Sequence, residues 1–434
     1  MNIVMMTNTF TPHVGGVARS VAGLTAACRE RGHRVLVVAP VFPDMPAAEP
    51  DVVRIPALQN FNGSDFSVVL PVPGRLDQAL DAFGPDLIHA HHPFLIGSTA
   101  MRLSAERRCP LIFTHHTMYE AYTHYVPGDS PALKRFVVEL STSYANSADR
   151  VIAPSESIAA VLRGRGVQSP LTVVPTGIDR DAFAAGDGPA WRARAGIEPG
   201  ARVIGHVGRL AEEKNLDYLA AALVEAAVAD PAVRCLVVGE GSAGEALDAR
   251  FAAAGLGDRL HRPGALALPA LADAYAAMDV FAFASQTETQ GLVLAEAMAA
   301  GVPVVALDAP GAREVVNADN GHRLAADADV SAFAAALHDC LARRGAARER
   351  LQAALAASAE RYSIERCVDR ALAVYAEVLS CHRGRERARD HAREAWHGSL
   401  RRVQAEWSVI RGMARAAGRA LSRNEPTRPA GEAD

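Results

Sequence analysis

The chain has 434 residues, of which 45 are basic and 49 acidic, and half of its residues are hydrophobic. Because domains usually contain about 100–200 residues, this length predicts two or three domains, each with a substantial core. The apolar content excludes a disordered chain, and the formal net charge of −4 argues against a dedicated nucleic-acid-binding protein. That net charge conceals an uneven distribution, because residues 383–423 hold eleven arginines and four acids.

The six cysteines are scattered, with no CxxC pair and no His/Cys cluster at the spacing of a zinc site. This pattern predicts a reduced, cytoplasmic chain without a structural metal. The segment MNIVMMTNTF has no basic region and soon reaches polar side chains, so it predicts a β-strand rather than a signal peptide. No segment approaches ~18 uninterrupted apolar residues, so we expect no membrane-spanning helix.

Short β-branched runs alternate with Ala/Leu-rich amphipathic stretches along the chain. The runs form two series of predicted strands: NIVMMT, HRVLVVAP, DLIHA, PLIFTH, RVIAP and LTVVP, and then VIGHVG, RCLVVGE, VFAFAS and VPVVAL. Unbroken apolar strands separated by helices are typical of parallel sheets covered on both faces. The sequence therefore predicts an α/β protein with two doubly wound domains, whose ligands collect where the strands end.

The domain boundaries follow from the point at which this pattern restarts. We predict a first domain at 1–180, a Pro/Gly-punctuated linker at 181–200 and a second domain at 201–362. A terminal helix that could cross back to the first domain is predicted at 363–380, and a basic amphipathic extension at 381–434.

Paired glycines follow the first predicted strand. Gly15 and Gly16 precede a predicted helix, so their backbone can approach a ligand closely. Paired glycines in a loop are more often only a turn, and this motif by itself leaves both interpretations open.

Histidines cluster after two further strands of the first series. His89, His91 and His92 follow the run DLI, and His115 and His116 follow PLIFT. Histidine is the commonest metal ligand, but no Cys or carboxylate stands at ligand spacing, so a metal site is disfavoured.

A basic loop, VGRLAEEKNLDYL, begins the second series. Arg209 and Lys214 are five positions apart and could clamp a diphosphate. Ion pairs with Glu212 and Glu213 are the ordinary alternative for such a loop. Lys134 and Lys214 are the only lysines among the 45 basic residues. Because the chain otherwise uses arginine, the lysine at 214 favours a binding role.

A literal G-x-G-x-x-G motif, Gly239, Gly241 and Gly244, follows the strand RCLVV. A dinucleotide-binding site would require an acid at the end of the next strand, where this chain has Arg262. The motif therefore does not predict a nicotinamide enzyme.

The segment ASQTETQGLVLAEAMAAGVPVVAL, residues 284–307, carries the strongest motif. A helix is predicted to begin near Gly291, where backbone N–H groups can hold phosphate or sugar oxygens. Glu288 in the loop and Glu296 in the helix are eight positions apart and are predicted to face one side. Glu296 lies in an apolar run where an unpaired charge would be costly, which disfavours a merely solvated acid.

This E-x7-E pattern, followed by AMAAGVPVV, resembles the donor-site signature of the retaining glycosyltransferases of family 4. The resemblance implies the GT-B architecture, in which two doubly wound domains face a central cleft. It also implies that Glu288 engages the transferred sugar and Glu296 the nucleotide ribose. The backbone of Gly291 and Leu292 would then face the sugar or diphosphate.

The other motifs carry the same resemblance. Arg209 and Lys214 match a G-R-x-x-x-x-K-N pattern whose basic residues neutralise the donor diphosphate. Gly15 and Gly16 match an N-terminal loop that closes over the phosphates. Glu240, in a V-G-x-G turn, is placed near the nucleotide.

The segment THHTMYEAYTHYVP resembles the YHTMYE-type segment of bacterial diacylglycerol glycosyltransferases. The resemblance places His116 beside the transferred sugar, while His115 occupies a position that is often aromatic. Which of these two imidazoles faces the cleft stays open. The predicted acceptor-side residues are Tyr119, Glu120 and Tyr122 of this segment, together with His92 after the run DLI.

The implied reaction moves a hexose from a nucleotide-sugar donor to an acceptor hydroxyl with retention, by front-face attack and without a metal or other cofactor. His116, Glu288, Arg209 and Lys214 are its predicted catalytic residues. T-E-T-Q-G together with H-T-M-Y-E resembles glucolipid synthases, which favours UDP-glucose and diacylglycerol. The alternatives are UDP-galactose as donor, GDP-mannose-dependent transfer to a lipid, a nucleotide-sugar epimerase, and a catalytically silent binding module at a membrane.

The tail predicts an amphipathic helix at 396–423, with apolar residues at steps of three or four. A stripe of arginines lies on another face, at Arg411, Arg415, Arg419 and Arg423. Such a helix suits an anionic membrane surface, and it equally suits packing on the protein itself. We therefore expect a cytoplasmic protein, with peripheral attachment to the inner face of the cell membrane left open.

Overall fold

The computed structural model describes residues 1–13, 15–46, 49–58, 68–69, 75–125, 129–390, 411 and 413. The predicted amphipathic helix at 396–423 therefore lies almost entirely outside the described residues. Two parallel sheets with helices between their strands make up the described part, which confirms the predicted α/β class.

The described residues of the first domain include nine strands. They are β1 (Asn2–Met6), β2 (Arg34–Pro40), β3 (Val52–Ile55), β4 (Ala57–Leu58), β5 (Val68–Val69), β6 (Leu87–Ala90), β7 (Leu111–Thr114), β8 (Arg150–Ala153) and β9 (Leu171–Val173). Seven of them form a parallel sheet in the order β3-β2-β1-β6-β7-β8-β9, while β4 and β5 form a short antiparallel pair.

Five helices accompany these strands in the described part of the domain. They are α1 (Gly16–Glu30), α2 (Arg75–Phe83), α3 (Ile96–Arg107), α4 (Pro131–Ala145) and α5 (Glu156–Gly164), and two short helices follow in the connecting segment, α6 (Arg180–Ala184) and α7 (Gly188–Arg194). A 3-10 stretch covers Tyr119–Tyr125.

The second domain is built on a six-stranded parallel sheet. Its strands are β10 (Arg202–Val207), β11 (Val233–Val238), β12 (Leu260–Gly264), β13 (Val280–Phe283), β14 (Val304–Leu307) and β15 (Gly321–Leu324). They lie in the order β12-β11-β10-β13-β14-β15. The helices are α8 (Leu216–Ala229), α9 (Gly244–Ala253), α10 (Ala270–Ala276), α11 (Leu292–Ala299), α12 (Val330–Ala342), α13 (Gly345–Arg361) and α14 (Ile364–Asp390).

Both sheets are buried on their two faces, which explains their unbroken apolar strands. In β1, Ile3 and Met5 pack into one core cluster, whereas Val4 and Met6 pack into the cluster on the opposite face. Side chains alternate along a strand, so only a strand buried on both sides needs apolar residues at every position.

Each sheet has a point at which the strand order reverses. In the first domain β1 pairs with both β2 and β6, and in the second β10 pairs with both β11 and β13. Loops that leave neighbouring strands at such a point diverge, so ligands bind there, outside the carboxyl ends of the strands.

The segment predicted as a linker, 181–200, is ordered against the second domain. It contributes α7 and most of α6, and Phe183 and Trp191 are buried in a core cluster with Tyr275. Apolar anchors in these short helices pack the linker segment against the second domain.

The helix predicted at 363–380 is longer than expected and returns to the first domain. Val368, Tyr375 and Val378 of α14 pack in the same cluster as Ile3 and Met5. The helix continues to residue 390 instead of ending at 380, because arginine and glutamate in this stretch are good helix formers. The predicted boundary at 380/381 therefore falls inside one continuous helix.

Candidate active site

The carboxyl edges of the two sheets contact each other through the loop that follows β13. Thr289 Oγ1 donates a 2.8 Å hydrogen bond to the carbonyl oxygen of His116, and Ser155 Oγ donates to the Thr289 carbonyl at 2.7 Å. The side chain of Gln290 pairs with the backbone of Thr176, accepting from its N–H at 2.6 Å and donating to its carbonyl at 2.7 Å. These bonds hold the T-E-T-Q-G loop against the first domain.

Lys214 and Glu288 form an ion pair in this region. Lys214 Nζ lies 2.5 Å from Glu288 Oε1, and both side chains are largely shielded from solvent. Burial by itself lowers the pKa of Lys214, but the Glu288 carboxylate and Tyr122 outweigh burial and raise that pKa above its ordinary value. Lys214 therefore stays charged beside the residue that the family resemblance assigns to the sugar.

Arg209 lies at the carboxyl end of β10 and has a different partner. Its Nη2 lies 2.6 Å from Glu213 Oε1, which is the surface ion pair that the sequence left as the ordinary alternative. The guanidinium carbon also lies 5.6 Å from the ring centroid of Tyr122. Because Tyr122 belongs to the first domain, this cation–π contact joins the two edges.

Glu296 is buried within α11, and both of its carboxylate oxygens are engaged. Arg19 Nη1 lies 2.9 Å from Oε1, and Tyr275 Oη donates to Oε2 at 2.8 Å. Burial and the adjacent carboxylate raise the pKa of Tyr275 well above its ordinary value, so its hydroxyl stays a donor. These contacts resolve how an apolar helix tolerates a charge.

Arg19 and Tyr275 were not identified from the sequence. Arg19 stands inside the motif that carries the paired glycines, but its partner lies 277 positions away. The first domain thus reaches the predicted ribose-binding carboxylate through an arginine of α1.

The start of α11 agrees with its prediction. Gly291 has a φ of 67° and immediately precedes the helix, which begins at Leu292. Gly311 has a φ of 82°, and a Cβ on it would lie only 2.9 Å from the Gln290 nitrogen and 3.0 Å from the Glu288 Cβ. Gly311 therefore lets the following loop pass close behind Glu288, a role that the sequence did not signal.

The paired glycines before α1 have different backbones. Gly15 is extended, with a φ of −176°, and Gly16 is the first helical residue. A Cβ on Gly16 would meet nothing within 4 Å among the described residues. Packing within that part of the chain does not require a glycine there, and an approach by ligand stays a prediction.

The G-x-G-x-x-G motif is explained by packing between neighbouring loops. A Cβ on Gly239 would lie 1.9 Å from the Gly208 carbonyl oxygen, and one on Gly241 would lie 2.3 Å from that of Leu210. Both glycines also have positive φ values, 137° and 148°. Their backbone freedom lets two strand-to-helix turns lie side by side.

Of the motif's other residues, Gly244 packs against Arg262, whereas Glu240 is exposed. A Cβ on Gly244 would lie 2.3 Å from Arg262 Nη2, so this glycine makes room for the arginine. Arg262 Nη1 donates to the Gly244 carbonyl at 2.8 Å. Glu240 is exposed at the carboxyl end of β11, where Oε1 accepts a long bond, 3.4 Å, from Ala265 N.

Three histidines at the carboxyl edge of the first sheet, His89, His91 and His116, form a row in which the first two are buried. His91 Nδ1 lies 2.9 Å from His116 Nε2, and the His89 ring lies beside His91 with centroids 4.1 Å apart. Burial lowers the pKa of His89 to about 3 and that of His116 to about 4, and it holds His91 well below its ordinary value. These imidazoles are therefore neutral at physiological pH.

His92 and His115 lie apart from that hydrogen bond. His92 Nδ1 accepts from the backbone N–H of Asn8 at 3.1 Å, which ties it to the loop after β1. His115 is fully buried, and within the described part of the chain neither of its ring nitrogens has a hydrogen-bond partner. His116 is partly exposed and contacts the second domain through its carbonyl, so it is the more accessible of the adjacent pair.

The 3-10 stretch after β7 divides the other predicted acceptor-side residues. Glu120 forms an ion pair with Arg165, and Tyr119 packs edge-on against Phe94. Tyr122 instead lies within the charged group of the second domain, and burial raises its pKa. Of these three, Tyr122 is the one that the fold places beside the predicted donor site.

The described part of the chain contains neither a candidate metal site nor a candidate membrane-spanning helix. In the described ranges, no group of three or more His, Cys, Asp or Glu side chains is placed to hold a metal ion. Over the same residues, no helix has both the length and the apolar character needed to cross a bilayer.

Comparison with known proteins identifies the family to which this chain belongs. Residues 14–182 match the family model Glycosyltransferase Family 4, and residues 201–343 match Glycosyl transferases group 1. The chain belongs to glycosyltransferase family 4. It is a nucleotide-sugar-dependent glycosyltransferase, which confirms the resemblance seen in its motifs.

Two similar proteins have named activities. The alpha-monoglucosyldiacylglycerol synthase of Streptococcus pneumoniae is 28% identical over 312 residues, covering 70% of this chain and 71% of that protein. The GDP-mannose-dependent alpha-mannosyltransferase of Mycobacterium tuberculosis is 30% identical over 364 residues, covering 82% of this chain and 91% of that protein.

Solved structures share the fold of this family 4 enzyme. Anabaena HepE in complex with UDP and glucose superposes with a TM-score of 0.68 at 23% identity, over 88% of this chain and 99% of that one. Sucrose-phosphate synthase from Thermosynechococcus elongatus gives a TM-score of 0.70 at 21% identity, over 87% and 99%. The predicted GT-B architecture is confirmed.

Proposed function

We propose that this family 4 enzyme transfers glucose from UDP-glucose to a lipid hydroxyl, such as that of diacylglycerol, with retention of configuration. The observation that carries the proposal is the hydrogen bond from Thr289 Oγ1 to the His116 carbonyl. It joins the T-E-T-Q-G loop to the H-T-M-Y-E segment, the two motifs whose combination is similar to glucolipid synthases. The similarity to an alpha-monoglucosyldiacylglycerol synthase supports the same assignment.

The charged edge of the second domain suits the leaving diphosphate. Lys214, Arg209 and the amide end of α11 would stabilise the negative charge that develops there, and preorganised charges of this kind are usually the largest catalytic contribution. Glu288 would engage the sugar while it retains Lys214 as its partner. Glu296 would bind the ribose hydroxyls, exchanging a bond from Arg19 or Tyr275 for one from the nucleotide.

The histidine edge of the first domain suits the acceptor and the sugar. His116 is partly exposed and uncharged, so it would orient a hydroxyl and act only as a weak base. We assign the acceptor proton to an oxygen of the leaving diphosphate, in front-face attack. Tyr122 would lie between the acceptor and the donor charges, and Gly15 and Gly16 would cover the phosphates.

A second candidate is mannosyl transfer from GDP-mannose to a lipid. It is favoured by the length of the similarity to the mycobacterial mannosyltransferase, which extends over more of this chain than the similarity to the glucolipid synthase. The donor-site residues already described suit either nucleotide, since diphosphate and ribose are common to both donors.

The assay that decides between these candidates supplies labelled UDP-glucose, UDP-galactose or GDP-mannose, with and without diacylglycerol in mixed micelles. We expect lipid-extractable label from UDP-glucose only when diacylglycerol is present. Label from GDP-mannose would replace the first candidate with the second. Binding of UDP without transfer from any donor would support a silent binding module, and conversion of the sugar without acceptor would support an epimerase.

Two variants sharpen this assay. Glu288→Gln keeps the shape of the side chain but removes its charge, and we expect it to abolish transfer. Glu225→Gln, on the exposed face of α8, is the matched control and should be fully active. Full activity of the Glu288 variant would refute its assigned role.

We also propose that the basic extension holds the enzyme at an anionic membrane surface. Deletion should begin after Asp390 and not after residue 380, because a cut at 380 would interrupt α14. On vesicles with anionic lipid, the shortened chain should lose activity at low salt and keep its activity in micelles. If the shortened chain were equally active on anionic vesicles and in micelles, the extension would instead be assigned to packing on the protein.

A further inference from the structure

The hydrogen bond between His91 and His116 requires one of the two facing ring nitrogens to be protonated and the other to be unprotonated. His91 Nδ1 and His116 Nε2 lie 2.9 Å apart, and one of these nitrogens must carry a hydrogen while the other accepts it. Two neutral arrangements satisfy this requirement. In one, His116 donates from Nε2, and in the other His91 donates from Nδ1.

The other ring nitrogen of His91 distinguishes the two arrangements. His91 Nε2 lies 3.4 Å from the sulfur of Met5, in β1. A thioether sulfur accepts hydrogen bonds and has no hydrogen to donate. The contact is therefore favourable when His91 carries its hydrogen on Nε2, which leaves Nδ1 as the acceptor for His116.

The His91 ring is held firmly in this orientation. Its backbone N–H donates to the Met6 carbonyl at 2.9 Å, and its ring lies against His89. His89 is itself held between the hydroxyls of Tyr375 and Thr114, each 2.7 Å from a ring nitrogen. Tyr375 belongs to α14, so the returning helix supports this arrangement.

We infer that Met5 and His91 are positioning residues that hold His116 as the tautomer protonated on Nε2. His116 then presents an unprotonated Nδ1, which can accept a hydrogen bond from a hydroxyl but cannot donate one to a phosphate oxygen. The choice of a hydroxyl of the sugar or the acceptor as its partner rests on the proposed function. The tautomer itself rests only on the contacts of His91.

Nitrogen NMR on protein labelled with 15N-histidine tests the tautomer directly, because protonated and unprotonated ring nitrogens have well-separated shifts. The His116 signals are assigned by their loss in His116→Asn. At neutral pH we expect Nε2 of His116 to be protonated and Nδ1 to be unprotonated. Protonation of Nδ1 in the native protein would overturn the inference.

Two variants test the cause. Met5→Leu conserves volume and removes the sulfur acceptor, so a second His116 tautomer should become populated. His91→Asn can still accept a hydrogen bond near the position of Nδ1 and should retain the native tautomer. An unchanged His116 spectrum in Met5→Leu would contradict the assigned role of Met5.

Kinetics separate positioning from a purely structural role. His91→Leu should lower kcat about tenfold and change the donor KM less than twofold, and His91→Asn should restore most of kcat. Equal loss in both variants, with both proteins folded, would remove His91 as a positioning residue. The spectra need no substrate, so they still test the tautomer if the glucose-transfer assay fails. Conversely, the wrong tautomer would overturn this inference without affecting that assay.

Discussion

The two carboxyl edges that meet in this enzyme differ in their electrostatics. The first domain presents a row of imidazoles whose pKa values are lowered by burial, so these side chains are uncharged at neutral pH. The second domain presents ion pairs, Lys214 with Glu288 and Arg209 with Glu213, and its buried Glu296 takes its cation from the first domain.

This difference indicates a division of labour between similar folds. Both domains are doubly wound parallel sheets, so the fold alone does not decide which substrate each one binds. Fixed charges suit a diphosphate, which carries its charge throughout the reaction. Neutral donors and acceptors suit hydroxyl groups, which need orientation more than charge compensation.

The sharpest test of the charged edge removes Lys214. Lys214→Met should lower kcat/KM by about 10³, because a preorganised charge on the leaving diphosphate is lost. Lys134→Met is a matched control, since Lys134 is the only other lysine and lies on α4. It should retain wild-type kcat/KM in steady-state assays. A loss of less than tenfold in the Lys214 variant would contradict its proposed role.

The neutral edge should make the protein sensitive to acid. Burial lowers the pKa of His115 to about 3, against about 6.5 in an unfolded chain. As pH falls below 6.5 the unfolded chain binds the proton first, so stability is lost until pH approaches the folded pKa. From pH 7 to pH 5 each such histidine should cost about 2 kcal/mol, or about 30-fold in the unfolding equilibrium.

Urea unfolding at the two pH values measures this loss, and His115 offers a clean variant. Its ring lies between Phe113 and Tyr119 in edge-on contacts, so His115→Phe should fit. The variant should lose about 2 kcal/mol less than the wild type between pH 7 and pH 5. An unchanged pH dependence would show that His115 is protonated in the folded protein.

The smallest expected effect concerns Arg209, which is more exposed than Lys214 and is paired with Glu213. Arg209→Ala should lower kcat/KM about tenfold, because an exposed charge is screened by solvent. Arg202→Ala at the opposite end of β10 is the control, as that arginine is similarly exposed and paired with Asp230. An effect as large as that of Lys214 would give both basic residues equal weight at the diphosphate.

Much of the fold could be predicted because local pattern and tertiary structure agree. The apolar runs that became β1, β2, β10 and β11 are strands buried on both faces, where period and burial require the same residues. The start of α11 near Gly291 was predicted from the polar loop after the strand VFAFAS, and the structure adds that Gly291 takes the left-handed conformation that favours glycine. The strands β3 and β15 were missed, because they are short and only partly apolar.

Local pattern failed where a segment's environment is supplied from far away in the chain. The stretch 181–200 has the composition of a linker, yet Trp191 and Phe183 find a core on the second domain. The helix α14 finds its packing partner in the same way, since its apolar side lies on the core of the first domain, far away in the chain.

By itself the sequence determined the α/β class, the two domains and the family, together with Lys214, Glu288, Glu296 and His116 as candidates, because these depend on periodicity and on motifs of short spacing. Only the tertiary structure decided which groups meet. Arg19 with Glu296, Met5 with His91, and Tyr375 with His89 are pairs distant in sequence. No local pattern encodes such pairs, because these contacts depend on the strand order of the sheets, on the meeting of the two domains and on the packing of α14 against the first domain.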